Sequence, residues 1–145
     1  MGMYTQVRGW FCLDSIGDEE NFRDAEARLQ QAKDNLLADP DQVRGWIGDD
    51  VSVRQGGNDT LWLFVGMEFK NYNQDVDLLV KHLRQVFPGM EGRLDLQYEE
   101  VEAGDQTCTW LINRDGIQKE SVTAWTYGYG LDYKQHVIKP EPATV

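Results

Sequence analysis

Basic residues, cysteine, histidine and proline are all scarce in this chain. Fourteen Lys and Arg stand against twenty-five Asp and Glu, a formal net charge of -11. The imbalance is even along the chain, with seven basic against thirteen acidic residues over 1–70 and seven against twelve over 71–145. An evenly acidic surface repels phosphates, so nucleic acid and anionic membrane are not expected partners, and either simple solubility or a basic protein partner is favoured. Two cysteines, Cys12 and Cys108, are too few for a secreted disulfide framework and sit in apolar runs, so buried free thiols are expected. No signal peptide and no apolar run long enough to span a bilayer is present. A soluble, cytoplasmic protein is expected.

Recognisable chemistry is also missing. The two histidines, His82 and His136, have no Cys, His or carboxylate at metal-ligand spacing. His82 borders an apolar helix stripe and is expected to be partly exposed. Gly128 and Gly130 in "GYGLD" lead into no strand-to-helix turn, so a phosphate-cradling loop is not expected. The carboxylates Asp14, Asp18, Glu19 and Glu20 fail the spacing of a calcium loop and suit helix capping better. With no nucleophile elbow or Cys-His pair either, a non-enzyme without cofactor or metal is expected.

Apolar periodicity is plentiful. The chain is the length of one domain, expected over 1–145, with 1–3 read as a start scar and 139–145 as a frayed tail. Tyr4 to Leu13 alternates as a strand, with Thr5, Val7, Phe11 and Leu13 on one face and Tyr4, Arg8, Trp10 and Cys12 on the other. Gly9 marks a bulge or a close backbone approach. Phe22, Ala25, Leu29, Ala32 and Leu36 form one stripe of a helix from about Glu19 to Leu37, capped by Asp18. A hairpin follows from "VSVRQ" through "GGND" into Leu61–Phe69, whose nearly continuous apolar run suggests a central strand broken by Gly66. A second helix is expected over Gln74–Phe87 behind an Asn73 cap, then a strand "RLDLQYEEVE", then a C-terminal hairpin around "RDG". The pentapeptide "QVRGW" begins at both Gln6 and Gln42. The copies diverge at once, so the repeat is read as coincidence, not duplication.

This order predicts an α+β fold: an antiparallel sheet with two helices packed on one face, ferredoxin-like in order, with an extra C-terminal hairpin. Gly9, Trp10, Phe11 and Gly66 are the expected structural positions. Acid is densest from Glu91 to Asp105, where six carboxylates face Arg93 alone. Within it, Tyr98 with Asp95, Glu99, Glu100, Glu102 and Asp105 is the leading candidate for recognising a basic partner. Asp18, Glu19 and Glu20, and Asp49 and Asp50, are secondary candidates.

The opening strand with Gly9-Trp10-Phe11, the segment Gly66–Leu83 and the strand Gly92–Glu102 resemble immunity protein family seven of bacterial polymorphic-toxin systems, over about residues 4–115. The resemblance implies a protein that performs no chemistry and neutralises a cognate toxin or nuclease domain by tight binding. The alternative is a small-molecule module, with Trp10, Trp46, Trp62, Trp110 and Trp125 lining a pocket between sheet and helices.

So acidic a surface should bind no nucleic acid. A mobility-shift assay with random duplex DNA or single-stranded RNA at near-physiological salt is expected to be blank. A salt-sensitive shift would overturn it.

Overall fold

The computed structural model describes residues 4–42, 50–70, 73–98, 106–123 and 139–140. Its elements run β1 (Tyr4–Ile16), α1 (Glu19–Ala38), β2 (Val51–Gln55), β3 (Thr60–Lys70), α2 (Asn73–Val86), β4 (Glu91–Tyr98), β5 (Gln106–Asn113), β6 (Gly116–Thr123) and β7 (Lys139–Pro140). The class is α+β. All strand pairs are antiparallel, in the order β2-β3-β1-β4-β5-β6-β7. Seven strands in this order are more than a ferredoxin-like sheet holds, and the extra C-terminal hairpin expected from the sequence is among them as β5 and β6. The sheet continues past β4 through the β5–β6 hairpin, and β7 pairs with Val122 and Thr123. Lys139 and Pro140, expected in a frayed tail, are thus a short strand.

β1 organises the sheet. It pairs with β3 from Tyr4↔Lys70 to Cys12↔Trp62 and with β4 from Thr5↔Tyr98 to Cys12↔Glu91. The pairing is unbroken through Gly9, so Gly9 marks a close approach and not a bulge. A Cβ there would lie 2.6 Å from Leu94 Cδ1 and 2.8 Å from the Arg93 carbonyl oxygen. Gly66 has no comparable role, since a Cβ would meet nothing within 4 Å. The β1 register shifts only beyond the sheet centre, between Cys12 and Ile16.

Alternation then divides the sheet. Val7, Phe11 and Leu13 of β1, Leu61, Leu63 and Val65 of β3, and Leu94, Leu96, Trp110 and Ile112 of β4 and β5 are buried on one face. Ala25, Leu29, Ala32 and Leu36 of α1 and Val76, Leu79, Val80 and Leu83 of α2 complete this core. Asp18 caps α1 by accepting from the Asn21 amide at 2.7 Å. α2 starts at Asn73 itself, one residue ahead of the expected start. Lys119 of β6 lies 4.0 Å from the Trp110 ring centre and donates to Asp77 of α2 at 3.0 Å. That cation–π contact and ion pair anchor α2 over the far side of the sheet.

His82 is buried, not partly exposed. Its Nε2 donates to Asp39 Oδ2 at 2.8 Å, joining α2 to the C-terminal end of α1. Nδ1 is buried without a partner among the described residues. The Asp41 amide, then the His82 ring, then the Lys81 ammonium hold the Asp39 carboxyl below its ordinary value of 3.8. A depressed folded pKa means that the unfolded chain binds the proton more readily. Asp39 therefore contributes its full stability above pH 3.8, and the contribution declines as pH falls toward the lowered folded value. Asp39→Asn should lower the urea midpoint at neutral pH, with the gap to wild type closing in acid. A gap independent of pH would assign the loss to packing.

Candidate interaction face

The opposite face of the sheet has no helix over it among the described elements. Register places Phe64, Trp10, Arg93 and Leu111 in one row across β3, β1, β4 and β5. Trp10 and Phe64 are each 44% exposed, and Leu111 is 40% exposed. Trp62 stands opposite Cys12 in the next row, and its ring meets Trp10 edge-on with centroids 5.5 Å apart. Trp10, Phe64 and Trp62 therefore form a partly uncovered aromatic cluster, with Leu111 beyond Arg93 in the same row.

Polar groups frame the cluster. Arg93 Nη2 donates to Asp95 Oδ1 at 2.9 Å, and Thr109 Oγ1 donates to the same oxygen at 2.7 Å. The Asp95 carboxylate holds the Arg93 guanidinium still more firmly in its charged form. Beside them, Arg8 donates to Gln6, and Gln6 Nε2 donates to Glu68 at 3.3 Å. Gly66, opposite Arg8, leaves a shallow hollow of about 450 Å³ lined by Gln6, Arg8 and Glu68. Arginines held in place by acids, next to exposed tryptophan, combine directional hydrogen bonding with large apolar area. Among the described residues no cluster of His, Cys, Asp and Glu could hold a metal ion, and no helix is long and apolar enough to cross a membrane.

The candidates from the sequence scatter across this frame. Asp95 lies on the open face, and Tyr98 ends β4 opposite Thr5 and Gln106. Glu99, Glu100, Glu102 and Asp105 lie outside the described residues, as do Asp49, Trp46, Trp125, Gly128, Gly130 and His136. Asp18, Glu19 and Glu20 start α1, where Asp18 serves as the cap and Glu19 pairs with Arg23 at 2.6 Å. Asp50 leads into β2, and its carbonyl accepts from the Gly66 amide at 2.9 Å.

Two structural assignments need correction. Trp10 is a surface residue of the open face and not part of the core, whereas its neighbour Phe11 is fully buried. Gly66 does not admit a close neighbour. It leaves the hollow instead. The described tryptophans do not share a pocket between sheet and helices either, because Trp110 is buried on the helix side while Trp10 and Trp62 occupy the other. Sequence reading missed Phe64 and Leu111. The signal was available in β3, where an apolar run longer than one face can bury must place some residues outside. Cys12 is half-buried on this face and Cys108 is buried on the other, and both are free.

No protein-family model matches the chain, and comparisons with curated proteins and with solved structures return no match either.

Stability measurements separate the two faces. Phe11→Ala should cost about 3–5 kcal/mol, the range for emptying a buried aromatic site. Trp10→Ala should cost about 1 kcal/mol or less, mostly from its edge contact with Trp62. Comparable losses in urea melts would return Trp10 to the core.

Proposed function

We propose that this chain is a non-catalytic interaction protein that captures a basic protein partner on the open face of its sheet. The carrying observation is the exposure of Trp10 and Phe64, 44% each, directly opposite one another at the sheet centre. Tryptophan and arginine dominate binding energy where they are packed and desolvated by a partner, and here Arg93 stands beside Trp10. The formal charge of -11 favours a basic partner and speeds its approach. The acidic residues Glu99, Glu100, Glu102 and Asp105 follow β4 directly in sequence and add to that steering. With the resemblance of the Gly9-Trp10-Phe11 strand, this reading makes the partner a toxin or nuclease domain and the chain its cytoplasmic immunity protein.

Exposed aromatics on a sheet also suit the stacking of single-stranded bases. A phosphate backbone would then have to approach a strongly acidic protein, and the arginines of this face are already engaged by Asp95 and Gln6. Protein recognition is the reading that charge and geometry both favour.

The test uses a basic toxin domain isolated with the protein from its native host. Trp10→Ala and Phe64→Ala should each weaken its binding about tenfold or more, equivalent to about 1.4 kcal/mol, while the fold persists. Reversing Glu99, Glu100 and Glu102 to Lys should slow association and flatten its salt dependence. Unchanged affinity in both aromatic variants would move the interface away from this face.

A further inference from the structure

The open face carries little of the chain's excess acid. Its strand positions hold three arginines, Arg8, Arg54 and Arg93, against four carboxylates, Glu68, Glu91, Asp95 and Glu120. Over the whole chain the ratio is fourteen to twenty-five. The two signs are also segregated by the line between β1 and β4. On the β1 side lie Arg8, Arg54 and Glu68 with the aromatic residues Trp10, Trp62 and Phe64. On the β4 side lie Glu91, Asp95, Glu120 and Arg93 with Leu111. One half is aromatic and weakly basic, and the other is acidic. Halves that differ in this way are what a two-fold interface uses, because each half then meets the other half of a second copy.

The register shows which residues would meet. Consider an axis that runs along the strands, over the line between β1 and β4. It sets a second sheet face to face with the first, in the aligned packing that sheets adopt about 10 Å apart. It exchanges β1 with β4, β3 with β5 and β2 with β6, and keeps each row in step. In the Trp10 row, Trp10 of each copy then meets Arg93 of the other, Phe64 meets Leu111, and Ser52 meets Gln118. In the next row Arg8 meets Asp95, and Thr109 comes over the hollow at Gly66. Guanidinium on indole, apolar on apolar and cation on carboxylate are all attractive. Asp95 is equipped for its part, since Arg93 and Thr109 both use Oδ1 and leave Oδ2. Arg8 has Gln6 as its one described partner. Among these rows, like charges meet where Glu120 approaches Asp50 ahead of β2, a rim position where salt screens them.

We infer that in the free protein the open face is closed by a second copy of this chain, packed sheet against sheet about this axis. The total charge of -11 on each copy opposes the contact from a distance, so the dimer is reversible and not permanent. Dimerisation itself needs no other protein. Its consequence for capture rests on the function proposed above: a toxin domain that binds the open face displaces the second copy, and the two compete for Trp10 and Phe64.

Sedimentation equilibrium of the purified full chain alone, from micromolar to millimolar concentration, should show a reversible monomer–dimer equilibrium. Arg8→Asp sets carboxylates against each other across the axis, and Asp95→Arg sets guanidinium groups against each other. Each variant should dimerise about tenfold more weakly or worse. Mixed in equal amounts, the two should form dimers again within about threefold of the wild-type affinity, because each supplies the charge that the other lacks. Phe64→Lys and Leu111→Glu repeat the design at two exposed positions outside the core, where the Asp95–Arg93 hydrogen bond is untouched. Urea melts check that every variant folds. No toxin domain is present in these measurements, so their failure would leave the capture reading to its own affinity test. A monomer at every concentration would overturn the inference. So would a dimer that none of the four substitutions weakens, or a loss that mixing restores in neither pair.

Discussion

The register of β1 against β3 is the constraint on which the remainder of the molecule depends. Tyr4 to Cys12 pair without interruption against Lys70 to Trp62, and the same stretch of β1 pairs with β4 on its other side. Strand side chains alternate, so a slip by one residue would exchange the two faces of the whole sheet. Phe11 would meet water and Arg8 would enter the core. The pull of Val7, Phe11 and Leu13 toward the helices therefore determines that Arg8, Trp10 and Cys12 look outward. The interaction face follows from core formation in the same strand.

Close packing reinforces this register. Gly9 lets Leu94 and the β4 backbone come within a distance that a side chain would forbid. The helices then cover one face through their apolar stripes and are joined by the His82–Asp39 hydrogen bond at one end. Lys119, held between Trp110 and Asp77, serves the same purpose at the far strands. These polar ties involve few groups, and each joins elements far apart in sequence. Their value lies in orientation: they set where α1 stops relative to α2 and where α2 lies across the sheet.

The described charges are distributed unevenly in role, although evenly in sequence. Several acids are occupied locally: Asp18 caps a helix, Glu19 pairs with Arg23, and Asp14 accepts from Arg114 at 3.1 Å. Asp95 is occupied in orienting Arg93. A count of carboxylates along the chain therefore overstates how many are available to a partner. What remains available on the open face is apolar and aromatic surface framed by paired charge.

The sequence by itself determined the elements and their inner faces, because both rest on local periodicity. Alternation in Tyr4–Leu13 and the three-and-four spacing from Phe22 to Leu36 separate inward from outward residues without knowledge of any neighbour. Asp18 as a cap and Cys12 and Cys108 as free thiols were legible in the same way. Tertiary structure decided whether an outward residue meets solvent or a second layer. Trp10 and Phe64 are as apolar as the core, and only the placement of both helices on the opposite side leaves them exposed. It also decided strand order, which depends on pairings between distant segments, and so set β2 at the edge of the described strands. His82 shows the same limit: a helix histidine beside an apolar stripe is buried here because Asp39, forty-three residues away, lies where its ring can donate.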